Sequence, residues 1–223
     1  MYSKFFNFKS LLKGIGYLVL FIILPSIISI PFNFIKNQNN LVYNLQTIIT
    51  YIIISIIFIL LSLKDIKQGI QTFNKQTLKK SLLYWLIGLI IMLVSSTIIG
   101  LIGIDLPSNE TANRTQLYEY PITQIITSII FAPIIEEIIF RQSFKDLSSN
   151  KHIYAIFTGL FFGLMHLPDA FTNSTMLIHL IPYASCGIAF GYIYKDTDNI
   201  IATMVPHSLH NLISILKLFI IGG

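Results

Sequence analysis

Two adjacent carboxylates stand in the middle of an apolar run, ITQIITSIIFAPIIEEIIFR, at Glu136 and Glu137. Acids in a lipid-facing helix cost several kcal/mol unless they meet a partner or a wet cavity, so their presence points to function. Glu137 and Arg141 are four apart and share a helix face, which predicts an ion pair with the arginine near the cytoplasmic border. At 3.6 residues per turn Glu136 points about 100° away from Glu137 and is free to face something else. Pro133 has no N–H to give the carbonyl of Ile129, so the helix should loosen just ahead of the pair and admit water.

Two further apolar segments bring histidines. GLFFGLMHLP holds Phe162 and, one turn on, His166; VPHSLHNL holds His207 and Asn211, four apart on one face, with His210 beside them. Pro206 deprives the carbonyl of Ala202 of its helical donor, again suggesting a polar cavity. A carboxylate and a histidine in low dielectric can activate and orient water, and a histidine with an asparagine can stabilise an oxyanion. The catalytic candidates are therefore Glu136, His166, His207 and Asn211, supported by Glu137, Arg141 and Phe162. The bland reading makes both acids structural, one tied to Arg141 and one to a histidine. His179 reads as structural or interfacial, and His210 as a packing or hydrogen-bonding neighbour. Glu136, His166 and His207 would also serve as a zinc set with one open position; the spacing His-Glu-x-x-His is absent, but the residues alone do not separate the metal-free route from the zinc one. No Gly-x-Ser-x-Gly element offers a serine nucleophile.

The elements that must hold these side chains are membrane helices. Hydrophobic residues make up 54% of the 223 and charged ones 11%, too little polar surface for a water-soluble globule. Apolar stretches recur near 14–35, 41–63, 82–104, 122–144, 153–167, 174–194 and 200–221, and most reach the ~20 residues needed to cross a bilayer. The expected fold is an all-α polytopic bundle of about seven spans, with six to eight as the range. The stretch at 153–167 is short and is counted because Gly159 and Gly163 allow tight packing inside the bundle. Gly187 and Gly191 form a second small-residue stripe. The first stretch follows Lys4, Lys9 and Lys13 but has no small-residue cleavage site, so it reads as a span and not as a signal peptide.

Basic residues orient the bundle. A cytoplasmic N-terminus puts Lys4, Lys9, Lys13, Lys64, Lys67, Lys75, Lys79, Lys80, Arg141, Lys145, Lys151 and Lys195 inside, with Lys36 and Arg114 outside and Lys217 within the last span. The expectation is a multi-pass cell-membrane protein, N-terminus in and C-terminus out. The connector KDIKQGIQTFNKQTLKK could lie as a short helix on anionic headgroups or remain a solvated loop. Cys186 has no partner in the chain for a disulfide. Residues 1–120 form spans without a diagnostic motif, and residues 121–223 form the candidate catalytic core.

Taken together, Glu-Glu-x-x-x-Arg (Glu136, Glu137, Arg141), Phe-x-x-x-His (Phe162, His166) and His-x-x-x-Asn (His207, Asn211) resemble the motifs of the CAAX prenyl protease and bacteriocin-processing family of intramembrane peptidases. KDTDNIIATMVPHSLHN is similar to that family's loop and last catalytic helix, and the likeness runs from Pro121 to Ser214. The resemblance implies peptide-bond hydrolysis in or at the membrane, of a kind often classed as metalloprotease, with the first glutamate and first motif histidine activating water. Its substrate would be a peptide or protein with a hydrophobic or lipidated segment, and its other partner membrane lipid; no nucleic acid and no cofactor is expected, zinc being the alternative. Two readings compete: a non-catalytic scaffold or bacteriocin-immunity protein of the same fold, and a proton-coupled transporter, which would predict two related halves that the sequence does not display.

Overall fold

Asparagine sets the start of most helices. In the computed structural model, which describes residues 6–35 and 39–221, the side chains of Asn7, Asn39, Asn74 and Asn150 accept backbone N–H groups of the first turns that follow them. Asn199 does the same for Ala202, and each such cap satisfies donors that the helix leaves orphaned. The described residues hold nine helices: α1 (Phe8–Ser29), α2 (Asn40–Leu61), α3 (Leu63–Thr72), α4 (Lys75–Leu101), α5 (Ser108–Glu119), α6 (Pro121–Gln142), α7 (Lys151–Met165), α8 (Leu180–Thr197) and α9 (Ile201–Ile221). Three short 3₁₀ turns supplement them, at Ile30–Phe34, Pro168–Phe171 and Ser174–His179. Asp198, in the left-handed region at φ 47°, ends α8 and turns the chain into α9.

The fold is an all-α membrane bundle. Five segments are long and apolar enough to cross a bilayer: Phe8–Phe34, Asn40–Leu61, Lys75–Leu101, Pro121–Gln142 and Ser174–Thr197. The seven-span reading added the two that remain, of which α7 is a shorter apolar helix and α9 has its apolar run interrupted by His207, His210, Asn211 and Lys217. Isoleucines of α1 such as Ile22 and Ile27 face outward, as lipid contact requires. Lys4 and Lys36, used to orient the chain, lie outside the described residues. The connector left open between a short helix and a solvated loop holds helix α3, and the segment between α4 and α6 holds α5.

The two glycine stripes meet each other. A methyl group on Gly159 would stand 2.7 Å from the Cα of Ile188, one on Gly191 would stand 2.7 Å from the Cα of Ala155, and one on Gly187 would stand 2.9 Å from the carbonyl of Gly159. Backbone cannot yield as a flexible side chain can, so α7 and α8 approach this closely only because these positions lack a Cβ. That contact fixes α7, and with it His166 at its end. Gly159→Val is expected to lower the thermal stability of the purified protein by about 1–3 kcal/mol or more, the range for overpacking. Gly16→Ala, where an added methyl meets nothing within 4 Å, should leave the melting curve in place.

Candidate active site

The acid-bearing helix α6 departs from α geometry on both sides of its glutamate turn. Thr127–Phe131 and Ile138–Gln142 are π-helical, and Ala132–Glu137 is a single α segment between them. In the first π turn the N–H of Ala132 donates to Thr127, five residues back. In that register the missing N–H of Pro133 falls opposite the carbonyl of Ser128, one residue earlier than the α spacing predicts for Ile129. Asn211 fills the vacancy, its Nδ2 donating to the Ser128 oxygen at 2.8 Å. The loosening expected at Pro133 is therefore present, and the last helix is bonded to it.

Glu137 and Arg141 form the pair that their spacing predicts, Nε to Oε2 at 3.2 Å. Arg141, expected near the border and counted among the inner basic residues, is instead 0% exposed, as is Glu137. The Nε–Oε2 contact is an ion contact outside hydrogen-bond geometry, so Oε2, Nε and Nη2 have no hydrogen-bond partner. The guanidinium donates to the carbonyl of Thr158 at 3.2 Å and lies over the rings of Phe162 and Phe190, 5.2 and 5.9 Å from their centroids. Tyr154 donates to the carbonyl of Arg141 at 2.7 Å. Buried charge survives in protein only when neutralised and contacted on all sides, and α7 and α8 supply those contacts.

The two glutamates diverge, yet both meet His207. Its Nδ1 donates to Oε1 of Glu137 at 2.8 Å, and its Nε2 lies 3.6 Å from Oε2 of Glu136. The nitrogens of an imidazole face different directions, so one ring lies between two carboxylates that point apart. His166 approaches Glu136 separately, Nε2 to Oε2 at 3.8 Å, while its Nδ1 donates to the carbonyl of Phe162 at 2.8 Å. A carbonyl or carboxylate oxygen can only accept, so each Nδ1 carries a proton. Both Nε2 atoms therefore turn to Glu136 at separations longer than a direct hydrogen bond and short enough for one water to touch both groups. Glu136 and His166 are each 21% exposed at the side chain, His207 4%, so the site is reached from the Glu136–His166 side.

Every motif residue except Asn211 thus converges on Glu136 or on the Glu137–Arg141 pair; Asn211 sits one turn from His207 and holds α6. His210 lies apart, its Nδ1 3.9 Å from the sulfur of Cys186, and His179 donates to the carbonyl of Asp105 at 2.9 Å. Sequence reasoning missed Phe190, stacked on His207 at 4.9 Å, and Tyr183, stacked on His166 at 5.6 Å. Neither has a signal in one sequence, since an aromatic in a span is ordinary core. Among the described residues no group of three or more His, Cys, Asp or Glu side chains is arranged to hold a metal ion.

Residues 118–213 match the family described as "Type II CAAX prenyl endopeptidase Rce1-like", a segment that contains all seven motif residues. The likeness to CAAX-type membrane proteases is borne out over that segment. The chain is 29% identical over 202 residues to an uncharacterised protein of Mycoplasma capricolum subsp. capricolum, covering 82% of this chain and 58% of that one. It is 27% identical over 175 residues to a Bacillus subtilis protein named "Putative membrane peptidase YdiL", covering 75% and 68%. The chain thus spans less than two thirds of the length of the first of these relatives. No solved structure matches.

Proposed function

Since residues 118–213 carry the pattern of the Rce1-like CAAX endopeptidases, we propose that this chain is an intramembrane endopeptidase that hydrolyses a peptide bond in a lipidated or otherwise membrane-associated peptide. The observation that carries the reading is the convergence of two Nδ1-protonated histidines on the one carboxylate, Glu136, that has no cation of its own. A water between Glu136 and His166 gives one hydrogen to the carboxylate and the other to Nε2 of His166. Its oxygen attacks the scissile carbonyl carbon as Glu136 takes the proton, and that proton then passes to the leaving amine as the C–N bond breaks. His207 lies on the other side of Glu136; carrying a proton on Nε2 as well as on Nδ1, as an imidazolium held between the two carboxylates, it would donate to the developing oxyanion, and the second amide hydrogen of Asn211 would share that work. Glu137, neutralised by Arg141, fixes the ring of His207 through Nδ1.

The test is cleavage of a farnesylated or acylated peptide in proteoliposomes, with metal content measured alongside. Hydrolysis is expected to persist after exhaustive chelation and with less than one zinc per chain. One zinc per chain, with activity lost on chelation and restored by zinc, would overturn the glutamate-and-water route; no cleavage of any membrane peptide would support the non-catalytic scaffold.

A further inference from the structure

We propose that the outer edge of α3, continued into the first turns of α4, is a docking surface for anionic phospholipid headgroups of the phosphatidylglycerol class. Helix α3 follows α2 after a single residue, Ser62, and α4 begins three residues after it ends. It therefore lies at the level where two membrane spans emerge from the hydrocarbon. Its inner edge is committed to the protein. Gly69 packs on Asn199 and Ile201 at the start of α9, and the Asn199 amide donates to the carbonyl of Gly69 and the hydroxyl of Thr72, both at 2.9 Å. Asp65 accepts from Lys145 and Gln142, each at 2.8 Å. Gln142 is the last residue of the helix that carries Glu136.

The outer edge has no such partners. Leu63, Lys64, Lys67 and Ile70 are exposed, Ile70 by 64%, and Lys75 and Lys79 continue the row. Among the described residues, none of these four lysines makes an ion pair, whereas Lys80, Lys145 and Lys151 all do. Of the acids at this end, Asp65 is matched by Lys145, and Asp196 by Lys80 and Lys151; Asp146 and Asp198 are exposed and form no ion pair with the outer row. Burial alone would raise the carboxyl of Asp65, but Lys145 and Gln142 outweigh it and hold it below the usual carboxylate range, so its charge is spent on Lys145 and not on the outer row. Unmatched lysines flanked by exposed leucine and isoleucine at the hydrocarbon boundary fit a surface that is negative above and apolar below. A soluble acidic protein would satisfy the charges but leave Leu63 and Ile70 uncovered.

The test reads α3 directly and needs no cleavage, so its result is independent of the peptidase assignment. A Gln71→Cys variant takes an environment-sensitive fluorophore at the exposed edge, since Cys186 is buried and is not labelled under native conditions. In vesicles of phosphatidylcholine with rising phosphatidylglycerol, the emission is expected to shift to the blue and the response to weaken in high salt. Changing Lys64, Lys67, Lys75 and Lys79 to Gln should abolish the shift at phosphatidylglycerol fractions that saturate the wild type, since each lysine removed weakens headgroup affinity roughly fivefold; changing the same four to Arg should preserve the response. Equal emission in the two lipids, a response that survives neutralisation, or an equal response to soluble polyglutamate over phosphatidylcholine vesicles would each overturn the proposal.

Discussion

Glu136→Gln is expected to bring hydrolysis of a membrane peptide to background while the protein purifies and melts as wild type does. The amide has the shape of the carboxylate, and Glu136 forms no ion pair with Arg141, so the buried network of Glu137, Arg141 and His207 is untouched. What is lost is the carboxylate placed to take a proton from water facing both Nε2 atoms, and removal of a positioned general base lowers rates by about 10²–10⁴-fold. Glu137→Gln makes the contrasting case, because its first effect should fall on the yield of folded protein through the unpaired Arg141. Proteoliposome cleavage rates for the two variants, normalised to folded protein, separate the roles. Retained turnover in Glu136→Gln at normal expression would remove Glu136 as the base.

The sequence made the membrane bundle and the participants of the site legible for one reason: polar residues are so costly in lipid that their positions stand out. The Glu137–Arg141 pair followed from spacing alone. Three features were beyond that kind of inference. The π turns flanking Ala132–Glu137 shift the vacancy left by Pro133 from Ile129 to Ser128, and a one-residue shift cannot be read from a proline without knowing the helix register. Asn211, read as an oxyanion donor, also bonds that carbonyl, a contact 83 residues apart in sequence. The burial of Arg141 depends on α7 and α8 closing over it, which the glycine stripes permit but do not announce. In each case the missing information was long-range, whereas spacing conveys only what one helix does to itself.

The second large effect concerns that burial. Arg141→Met is expected to destabilise the folded protein by about 3–5 kcal/mol, the usual cost of leaving a buried charge without its partner. Glu137 has no exposure to water, and the side chain that replaces the guanidinium can neither neutralise it nor donate to Thr158. The paired variant Glu137→Met/Arg141→Met removes both charges and keeps apolar bulk under Phe162 and Phe190, so it should regain most or all of that loss. Activity should not return with stability, because His207 then loses the acceptor that holds its Nδ1 at 2.8 Å and its Nε2 is free to swing away from Glu136. Unfolding curves in one detergent, together with cleavage rates, decide between the two roles of the pair. A paired variant that is stable and fully active would mean that the ion pair positions nothing. One as unstable as Arg141→Met would mean that the two charges, once buried, hold the bundle together beyond what apolar packing can replace.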